Sequence, residues 1–309
     1  MADAVVLGQI GCDVVVHRGR RRSLLGGKGA NQAVGLAQLG VPVALVGVVG
    51  DDDAGASVLG QAADDGIDVS AVAVRAGART AVLTDRVGED GDRRLAEHVP
   101  EAVLLRAADV RAARGVLRSA RMLVLQLQQP GAAVREALAL APGAARVVAD
   151  GAPADGDTRS ALLARAEVLR ADRHEAGLLV GRELGGVDDV RAAAAELLAA
   201  GPRLVCLAAG DAGNLVAWRA APREGGGEVL VPLLGGDPVD PTGAGDASVA
   251  ALTAALLAGA APADAAWAAG AAAALTVDHA GGRPSLTPDR VAGLVVRSRG
   301  AGRPGLLSG

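Results

Sequence analysis

Short apolar runs alternate with longer segments of helical spacing over residues 109–207. The apolar runs predict strands at 122–127, 147–149, 168–169 and 204–207. Helices are predicted after residue 109, at 132–140, before residue 168, at 174–180 and at 190–200. This alternation indicates a parallel sheet with helices on both faces. Two further apolar runs, 216–218 and 229–233, are typical of an antiparallel pair at the edge of such a sheet.

The first hundred residues combine the same alternation with a more polar hairpin. Apolar β-branched runs at 4–7 and 14–16, broken by glycines, predict one buried strand that continues or bends. A helix that ends at Gly40, a strand at 43–49 and a helix to about residue 65 follow. Between 80 and 95, two half-polar runs flank a turn rich in glycine and aspartate, which indicates a hairpin. Such strands are better suited to cover a site than to form a core sheet.

The last third of the chain is rich in alanine. Residues 247–277 are apolar enough to suggest a membrane span, but Pro262 and Asp264 interrupt them and alanine is only weakly apolar. Two packed helices are therefore predicted. A last helix is expected at 287–296, and the tail that follows it is expected to fray.

Composition and charge exclude several classes of protein. The 309 residues are 50% apolar with a net charge of -4, which argues against a general nucleic-acid or membrane-surface binder. The chain has neither Phe nor Tyr, so single-stranded nucleic acid would find no stacking platform. The first residues lack the basic segment of a secretory signal, so a cytoplasmic protein is expected. Cys12 and Cys206 lie in apolar runs and are expected to be buried thiols.

A glycine-rich stretch at 239–248 leads from a polar loop into a helical pattern. Gly243, Ala244 and Gly245 are predicted to form the first turn of a helix, whose free amides attract anions. The two glycines have no Cβ, so a phosphate could approach the main chain. An ionised Asp246 could take a proton from a hydroxyl while these amides hold the charge that develops nearby. The same residues could instead serve only to begin the helix.

A second glycine-rich stretch lies far upstream, at 26–32. It opens a helix, and Lys28 and Asn31 offer donors and an acceptor at a spacing that suits hydroxyl groups. It is not a Walker A loop, because Arg22 stands in place of the first glycine and Gly29 in place of the magnesium-binding Ser or Thr. A helix start that needs glycine for its turn is the simpler alternative.

Polar loops follow several of the predicted parallel strands, and ligands of such sheets bind beyond those strand ends. The loops are 128–129, 150–151, 172–175 and 210–213. A dinucleotide-binding fingerprint at 243–245 is excluded, because its helix leads into another helix without a βαβ unit or a third glycine.

Together, the two glycine-rich stretches make the sequence resemble the ribokinase (PfkB-type) family of carbohydrate kinases. The stretches 26–32 and 240–246 stand in the family's order and separation, and the resemblance covers 5–296. It implies a ribokinase-like α/β fold, with a central, mostly parallel sheet, helices on both faces and a small, shortened β-sheet lid. The implied limits are 1–296 for the kinase domain, 13–25 and 79–98 for the lid segments and 297–309 for a flexible tail.

The resemblance also implies a role for each matching residue. Asp246 would be the general base, and Gly243, Ala244 and Gly245 would form an anion hole for the transferred γ-phosphoryl group. The implied substrate-binding residues are Asp13, Gly27, Lys28, Asn31, Gln128 and Asp246. Those implied for ATP are Asp172, Gly210, Asp211, Gly213 and Gly245. The implied metal-site residues are Glu175, indirectly for Mg²⁺, and Asp240, Thr242, Thr276, His279, Gly281 and Ser285 for K⁺.

The sequence departs from the family pattern at several positions. Gly11 stands where ribokinases carry an asparagine that touches ribose, and Gln128 replaces a glutamate, so two sugar contacts are changed. Asp172 replaces an asparagine and Ala208 a threonine near the nucleotide, so ATP affinity could differ. The segment between Asp13 and the first glycines is shorter than the usual lid insert. A homodimer through the lid is compatible with the family but is disfavoured by that short segment.

The resemblance implies transfer of the ATP γ-phosphate to a sugar hydroxyl, with D-ribose as acceptor, ribose 5-phosphate as product, and Mg²⁺ and K⁺ as cofactors. The alternatives are another sugar, a sugar phosphate or a nucleoside. The arginine-rich run at 18–22 favours a phosphate-bearing acceptor, while the lack of Phe and Tyr disfavours a nucleoside. An inactive sugar- or nucleotide-binding regulator is a further alternative. The presence of Asp246 beside these glycines argues against it, because binding alone needs no base.

Overall fold

The structure is a computed structural model that describes residues 2–17, 20–87, 93–220, 225–278 and 281–301. Its strands are β1 Ala4–Leu7, β2 Gly11–His17, β3 Arg20–Gly26, β4 Val43–Val46, β5 Val48–Gly50, β6 Ala73–Arg75, β7 Ala81–Val87, β8 Arg93–His98, β9 Met122–Gln126, β10 Arg146–Asp150, β11 Val168–Ala171, β12 Leu204–Ala208, β13 Asn214–Trp218 and β14 Gly227–Val231. Its helices are α1 Lys28–Gln38, α2 Asp53–Asp64, α3 Ala107–Ala112, α4 Arg114–Leu117, α5 Gly131–Leu140, α6 Gly156–Arg165, α7 Arg173–Val180, α8 Val187–Ala200, α9 Ala244–Leu257, α10 Pro262–Val277 and α11 Pro288–Ala301. Short 3-10 turns lie at Glu101–Val103 and Gly210–Ala212.

Eight strands form the central sheet, in the order β14-β13-β12-β11-β10-β9-β1-β4. The strands from β12 to β4 run parallel, and β13 and β14 add an antiparallel edge. Both faces are apolar because every parallel strand is covered on both sides. Alternate residues of β1 divide between the two cores, with Val5 and Leu7 facing α3 to α8, and Ala4 and Val6 facing α1, α2, α9 and α10. The predicted α/β fold with a mostly parallel sheet is confirmed.

A separate four-stranded sheet stands beside the central one, in the order β3-β2-β7-β8. Strand β2 pairs antiparallel with β3 and parallel with β7, and β7 and β8 form an antiparallel pair. The two strands of the predicted hairpin at 80–95 correspond to β7 and β8, and the predicted turn at 88–92 lies outside the described residues. This small sheet, hereafter the lid sheet, is formed by sequence segments on both sides of α1, β4 and α2, so it assembles only when the chain folds back on itself.

Two strand predictions in the first third are wrong in their extent. The run at 43–49 forms two strands, β4 in the central sheet and β5, which pairs with β6. They separate at Gly47, directly after the pairing of β4 with β1 ends at Val46, and an added Cβ there would lie 2.6 Å from the Ile10 side chain. The run at 14–16 belongs to β2 of the lid sheet and does not continue β1. Strand β1 of the central sheet and residues 14–16 of lid strand β2 are both apolar, so the hydrophobic pattern alone could not assign them to different sheets.

The last helix, α11, continues to Ala301, five residues beyond its predicted end at Val296. The remainder of the predicted tail, 302–309, lies outside the described residues. Cys12 and Cys206 are buried free thiols, as predicted. Over the described ranges, the apolar helices α9 and α10 pack on the core, and none of the helices has the length and hydropathy that crossing a bilayer requires.

Candidate active site

Both glycine-rich stretches begin helices at the same edge of the central sheet. Helix α1 follows Gly27 and α9 follows Gly243, with φ of 89° and 77° at these two residues, a conformation that favours glycine. An added Cβ at Gly27 would lie 2.9 Å from the Gln9 carbonyl oxygen, and one at Gly243 would overlap the Gly282 carbonyl. At the start of each helix, the main chain of a glycine therefore packs directly against another main-chain segment.

The two helix starts face each other. Asn31, in the first turn of α1, donates from Nδ2 to Oδ2 of Asp246, in the first turn of α9, at 3.0 Å. Both side chains are buried, with Asn31 4% and Asp246 6% exposed. Two segments 215 residues apart in the chain are thus in direct contact. This proximity is required if a single substrate is to be bound by both stretches.

A cavity of about 280 Å³ lies between these helix starts and the lid sheet. Of the residues predicted for the site, its wall contains Asp13, Gly27, Lys28, Asn31, Gln128, Thr242, Gly243 and Asp246. Lid strands β7 and β8 contribute Ala81, Val82, Leu83 and Glu97. A polar floor and a partly apolar lid therefore line a space that can hold a monosaccharide.

The pKa of the Asp246 carboxyl is raised to about 7, first by burial and then by the neighbouring Asp150 carboxylate. The Asn31 hydrogen bond and the positive charges of Lys28 and Arg170 oppose this rise in the pKa. Asp246 therefore titrates near neutral pH, in the range expected of a group that accepts a proton during a reaction.

Asp172 and Glu175 form a reciprocal capping box at the start of α7. The Glu175 amide donates to Oδ1 of Asp172 at 2.8 Å, and the Asp172 amide donates to Oε2 of Glu175 at 2.9 Å. Oε1 of Glu175 lies 3.9 Å from Nζ of Lys28. The starts of α1 and α7 are thus linked by an ion pair beside the cavity.

The predicted nucleotide residues Gly210, Asp211 and Gly213 lie in a 3-10 turn between β12 and β13. The Gly213 amide donates to the Gly210 carbonyl at 3.0 Å, and the Ala209 amide donates to the Gly213 carbonyl at 2.8 Å. Asp211 is exposed. These residues, Asp172 and Gly245 are not part of the wall of the 280 Å³ cavity.

The residues predicted for K⁺ are brought together only in part. Asp240 is 1% exposed; its Oδ1 accepts from the Thr242 amide at 2.9 Å and its Oδ2 from the Gly281 amide at 2.8 Å. The Thr276 hydroxyl donates to the Ala272 carbonyl within α10 at 2.9 Å. Ser285 is exposed, and its carbonyl accepts from Arg290 at 2.9 Å. His279 lies outside the described residues.

Four residues that the sequence analysis did not assign complete the site. Gln9 and Glu97 line the cavity, and Gln9 Nε2 donates to Glu97 Oε1 at 3.2 Å. Asp150 and Arg170 form an ion pair at 2.9 Å below the first turn of α9. One signal was available in the sequence, because Arg170 is a charged residue inside an apolar strand. Its partner and the lid contact of Glu97 depend on strand order, which local patterns do not contain.

The chain matches the pfkB family carbohydrate kinase model over residues 3–290. It is 28% identical to a ribokinase of Mus musculus over 228 residues, 74% of this chain and 69% of that protein. Its fold resembles an Arabidopsis thaliana ribokinase determined with ribose and ATP, with a TM-score of 0.78, 24% identity, and coverage of 95% and 98% of the two chains. Phosphofructokinase-2 of Escherichia coli, determined with potassium, gives a TM-score of 0.76 and 21% identity over 97% and 100% of the chains.

The family match spans nearly the whole chain, so the protein belongs to the pfkB family of carbohydrate kinases. It is a phosphotransferase whose acceptor is a hydroxyl group of a sugar, and within the family it is most like ribokinases. The two structural likenesses, both below 25% identity, support the fold.

Proposed function

We propose that this protein transfers the γ-phosphate of ATP to D-ribose and forms ribose 5-phosphate. The observation that carries this proposal is the position of Asp246, whose buried carboxylate lies at the start of α9 in the wall of a cavity of about 280 Å³. The similarity to a ribokinase over 74% of the chain supports ribose as the acceptor. A kinase for another neutral sugar is the second candidate, which Gly11 in the cavity wall favours because glycine offers no side chain to hydrogen-bond a sugar.

In the proposed reaction, Asp246 accepts the proton of the sugar 5-hydroxyl while that oxygen attacks the γ-phosphorus. One P–O bond forms to the sugar, and the bond between the γ-phosphorus and the β–γ bridging oxygen breaks. The main-chain amides of Gly243, Ala244 and Gly245 point from the positive end of α9 and stabilise the negative charge on the transferred group. Phosphoryl transfer requires mainly such positioning and charge stabilisation.

ATP phosphates fit the main chain at the start of α9. A Cβ at Gly245 would lie 2.7 Å from Nη2 of Arg170, so the first helical turn is bare main chain beside a guanidinium group. We infer that the amides of 243–245 hold the γ-phosphate, with Lys28 on its sugar side. Asp172 and the turn at Gly210–Ala212 would contact the remainder of the nucleotide.

Mg²⁺ bound to these phosphates would supply further positive charge to the reaction. Within the part of the chain that the structure describes, no group of three His, Cys, Asp or Glu side chains could hold a metal ion. This fits Mg²⁺ held by phosphates and water, which is its usual mode in phosphate-transferring enzymes. Glu175, buried and close to Lys28, is the residue we assign to orient that water.

For K⁺, the chain supplies a partial fit. Asp240 holds the loop at Thr242 and the turn at Gly281 together through two main-chain hydrogen bonds. We infer that K⁺ would bind to main-chain carbonyls of these two segments and stabilise the anion hole. Gly243 packs directly against the Gly282 main chain, so the segment at Gly281 lies beside the start of α9.

The charge of the cavity wall favours an uncharged acceptor. Among the side chains that the structure describes, Asp13, Glu97 and Asp246 place three carboxyl groups there, against one basic side chain, Lys28. A phosphate on the acceptor would be repelled by this charge. Arg21 and Arg22 are the part of the arginine-rich run whose side chains the structure describes, and they are exposed and do not line the cavity, so these two residues do not support the sugar-phosphate alternative.

The proposal is tested by a coupled assay of ADP release with ribose, fructose, 2-keto-3-deoxygluconate, fructose 1-phosphate and adenosine. We expect ribose to give the highest kcat/KM and the phosphorylated sugar to give none. The product would be identified as ribose 5-phosphate by NMR. Higher kcat/KM with fructose 1-phosphate than with ribose would contradict the charge argument, and no turnover with any acceptor would favour an inactive regulator.

A further inference from the structure

A row of polar side chains crosses the central sheet directly beneath the two glycine-rich helix starts. Asp150 is paired in register with Gln126 on one side and Arg170 on the other, and Arg170 with Cys206. The residues two positions earlier, Val124, Val148, Val168 and Leu204, all belong to the core under α1, α9 and α10. Because residues two apart face the same side of a strand, the polar row points toward the same helices.

Asp150 connects this row to α1. It is 2% exposed, and its Oδ2 accepts from Nε2 of Gln32 on α1 at 2.7 Å. Its Oδ1 accepts from Nη1 of Arg170 at 2.9 Å. Both oxygens of the buried carboxylate are therefore engaged, one by each side of the site.

Arg170 connects the row to α9. A Cβ at Gly245 would lie 2.7 Å from Nη2 and 3.1 Å from Cζ of Arg170, so the guanidinium group packs against the Gly245 main chain. The Arg170 side chain is 15% exposed. A fixed positive charge thus lies under the helix turn that carries the free amides, where it adds to the positive end of the helix.

Among the described side chains, the charged groups that face Asp246 come from five elements. They are Asp13 on β2, Lys28 on α1, Glu97 on β8, Asp150 on β10 and Arg170 on β11. Asp150 disfavours the negative form of Asp246, and Arg170 favours it. Without Arg170, the buried carboxylate of Asp150 would act on Asp246 with no partner of opposite charge beside it.

We propose that Arg170 is a positioning residue of the phosphoryl-transfer site: held by Asp150, it supports the Gly245 main chain and keeps Asp246 able to ionise. This rests on the proposed role of Asp246 as the base. A side chain at Gly245 would displace the guanidinium group from this position. Through its hydrogen bonds and charges, the polar row therefore connects α1, on the acceptor side, with α9, on the phosphate side.

The test measures the titration of Asp246 by NMR on protein labelled with ¹³C at aspartate carboxyls, where the Asp246→Asn variant assigns the signal. This readout needs no turnover, so it is separate from the test of the proposed function. We expect Arg170→Met to raise the midpoint of Asp246 by about one pH unit or more, and Asp150→Asn to lower it. A midpoint in folded Arg170→Met within about 0.3 units of the wild-type value, well below the shift expected of a close charge, would overturn the proposal.

A second comparison remains informative if Arg170→Met does not fold. The variant Asp150→Asn with Arg170→Met has no net charge in the pair, and comparison with Asp150→Asn alone isolates the guanidinium group. We expect the double variant to have the higher Asp246 midpoint of the two. Equal midpoints would overturn the proposal.

The matched control is Arg146→Met. Arg146 also lies on a central strand and forms an ion pair with Glu167 at 2.8 Å, but it contacts the Leu256 carbonyl at the far end of α9. It should leave the midpoint of Asp246 unchanged. With an acceptor that turns over, Arg170→Met should also lower kcat by about ten-fold or more and move the acidic limb of its pH profile upward, as expected when a charge near the transferred group is removed.

Discussion

The Asn31 amide group and the Asp246 carboxylate are joined by a hydrogen bond of 3.0 Å across a sequence separation of 215 residues. This bond holds the starts of α1 and α9 against each other and sets the orientation of the carboxylate in the cavity. The position of the Asp246 carboxylate therefore depends on the Asn31 side chain of the neighbouring helix.

Asp246→Asn should lower turnover by ~10²–10⁴-fold, the usual contribution of a general base. The amide preserves the shape of the side chain but cannot accept the proton of the sugar hydroxyl. The measurement is kcat for ribose with saturating MgATP. Asp188→Asn is the control, because Asp188 also lies in the first turn of a helix but is 98% exposed. A loss of only a few-fold in Asp246→Asn would remove Asp246 from the role of base.

The kcat/KM for the sugar should rise with pH and reach a plateau above a midpoint of about 7. Below that pH the Asp246 carboxyl is protonated in the free enzyme, because burial and Asp150 raise its pKa. Measurement of kcat/KM from pH 5 to 9 at constant ionic strength tests this expectation. A midpoint near 4, the value of an exposed aspartate, would contradict it.

The same pKa predicts a pH effect on stability that does not depend on catalysis. Between the unfolded value of 3.8 and about 7, the folded protein binds more protons at Asp246 than the unfolded chain does. The free energy of unfolding of the wild-type protein therefore falls as pH rises through that window, because Asp246 ionises less readily in the folded protein than in the unfolded chain. Asp246→Asn should accordingly gain stability relative to wild type between pH 4 and 7. Chemical denaturation at both pH values measures the difference, and a constant difference would contradict the raised pKa.

Glu97→Gln should raise the KM for the neutral sugar by about ten-fold with a smaller change in kcat, since hydrogen bonds to a charged group contribute about 1.5–3 kcal/mol. Glu97 lies in the cavity wall on the lid sheet and accepts from Gln9. Glu101→Gln is the control, because Glu101 follows the same lid strand and is exposed like Glu97 but lies outside the cavity wall. An unchanged KM would show that the lid carboxylate does not contact the acceptor.

Replacement of K⁺ by choline should lower turnover of the wild-type protein, and Asp240→Asn should lose this response. An asparagine can accept only one of the two main-chain hydrogen bonds that Asp240 accepts from Thr242 and Gly281. The two segments would then no longer hold their carbonyls in place. The assay compares kcat in KCl and choline chloride at equal ionic strength. Equal activity of wild type in the two salts would exclude a functional K⁺ site here.

The alternation of apolar runs and helical spacing determined the α/β class, because strand and helix periodicity are properties of neighbouring residues. The same holds for the two helix starts, since a glycine pair before an apolar helical pattern is a local signal. The split of 43–49 at Gly47 could not be predicted this way. At Gly47 the chain lies close to Ile10, which is more than thirty residues away in the sequence, and local patterns do not contain such a contact.

Only the tertiary structure decided which side chains meet. Asp150 and Arg170 face one another because β10 and β11 are neighbours in the sheet, and Glu97 reaches Gln9 because the lid sheet closes over the strand ends. Strand order depends on the packing of the whole chain and leaves no periodic mark in the sequence. The sequence by itself therefore determined the elements and the residues able to do the chemistry, while the fold determined their partners, their burial and the charge that each one experiences.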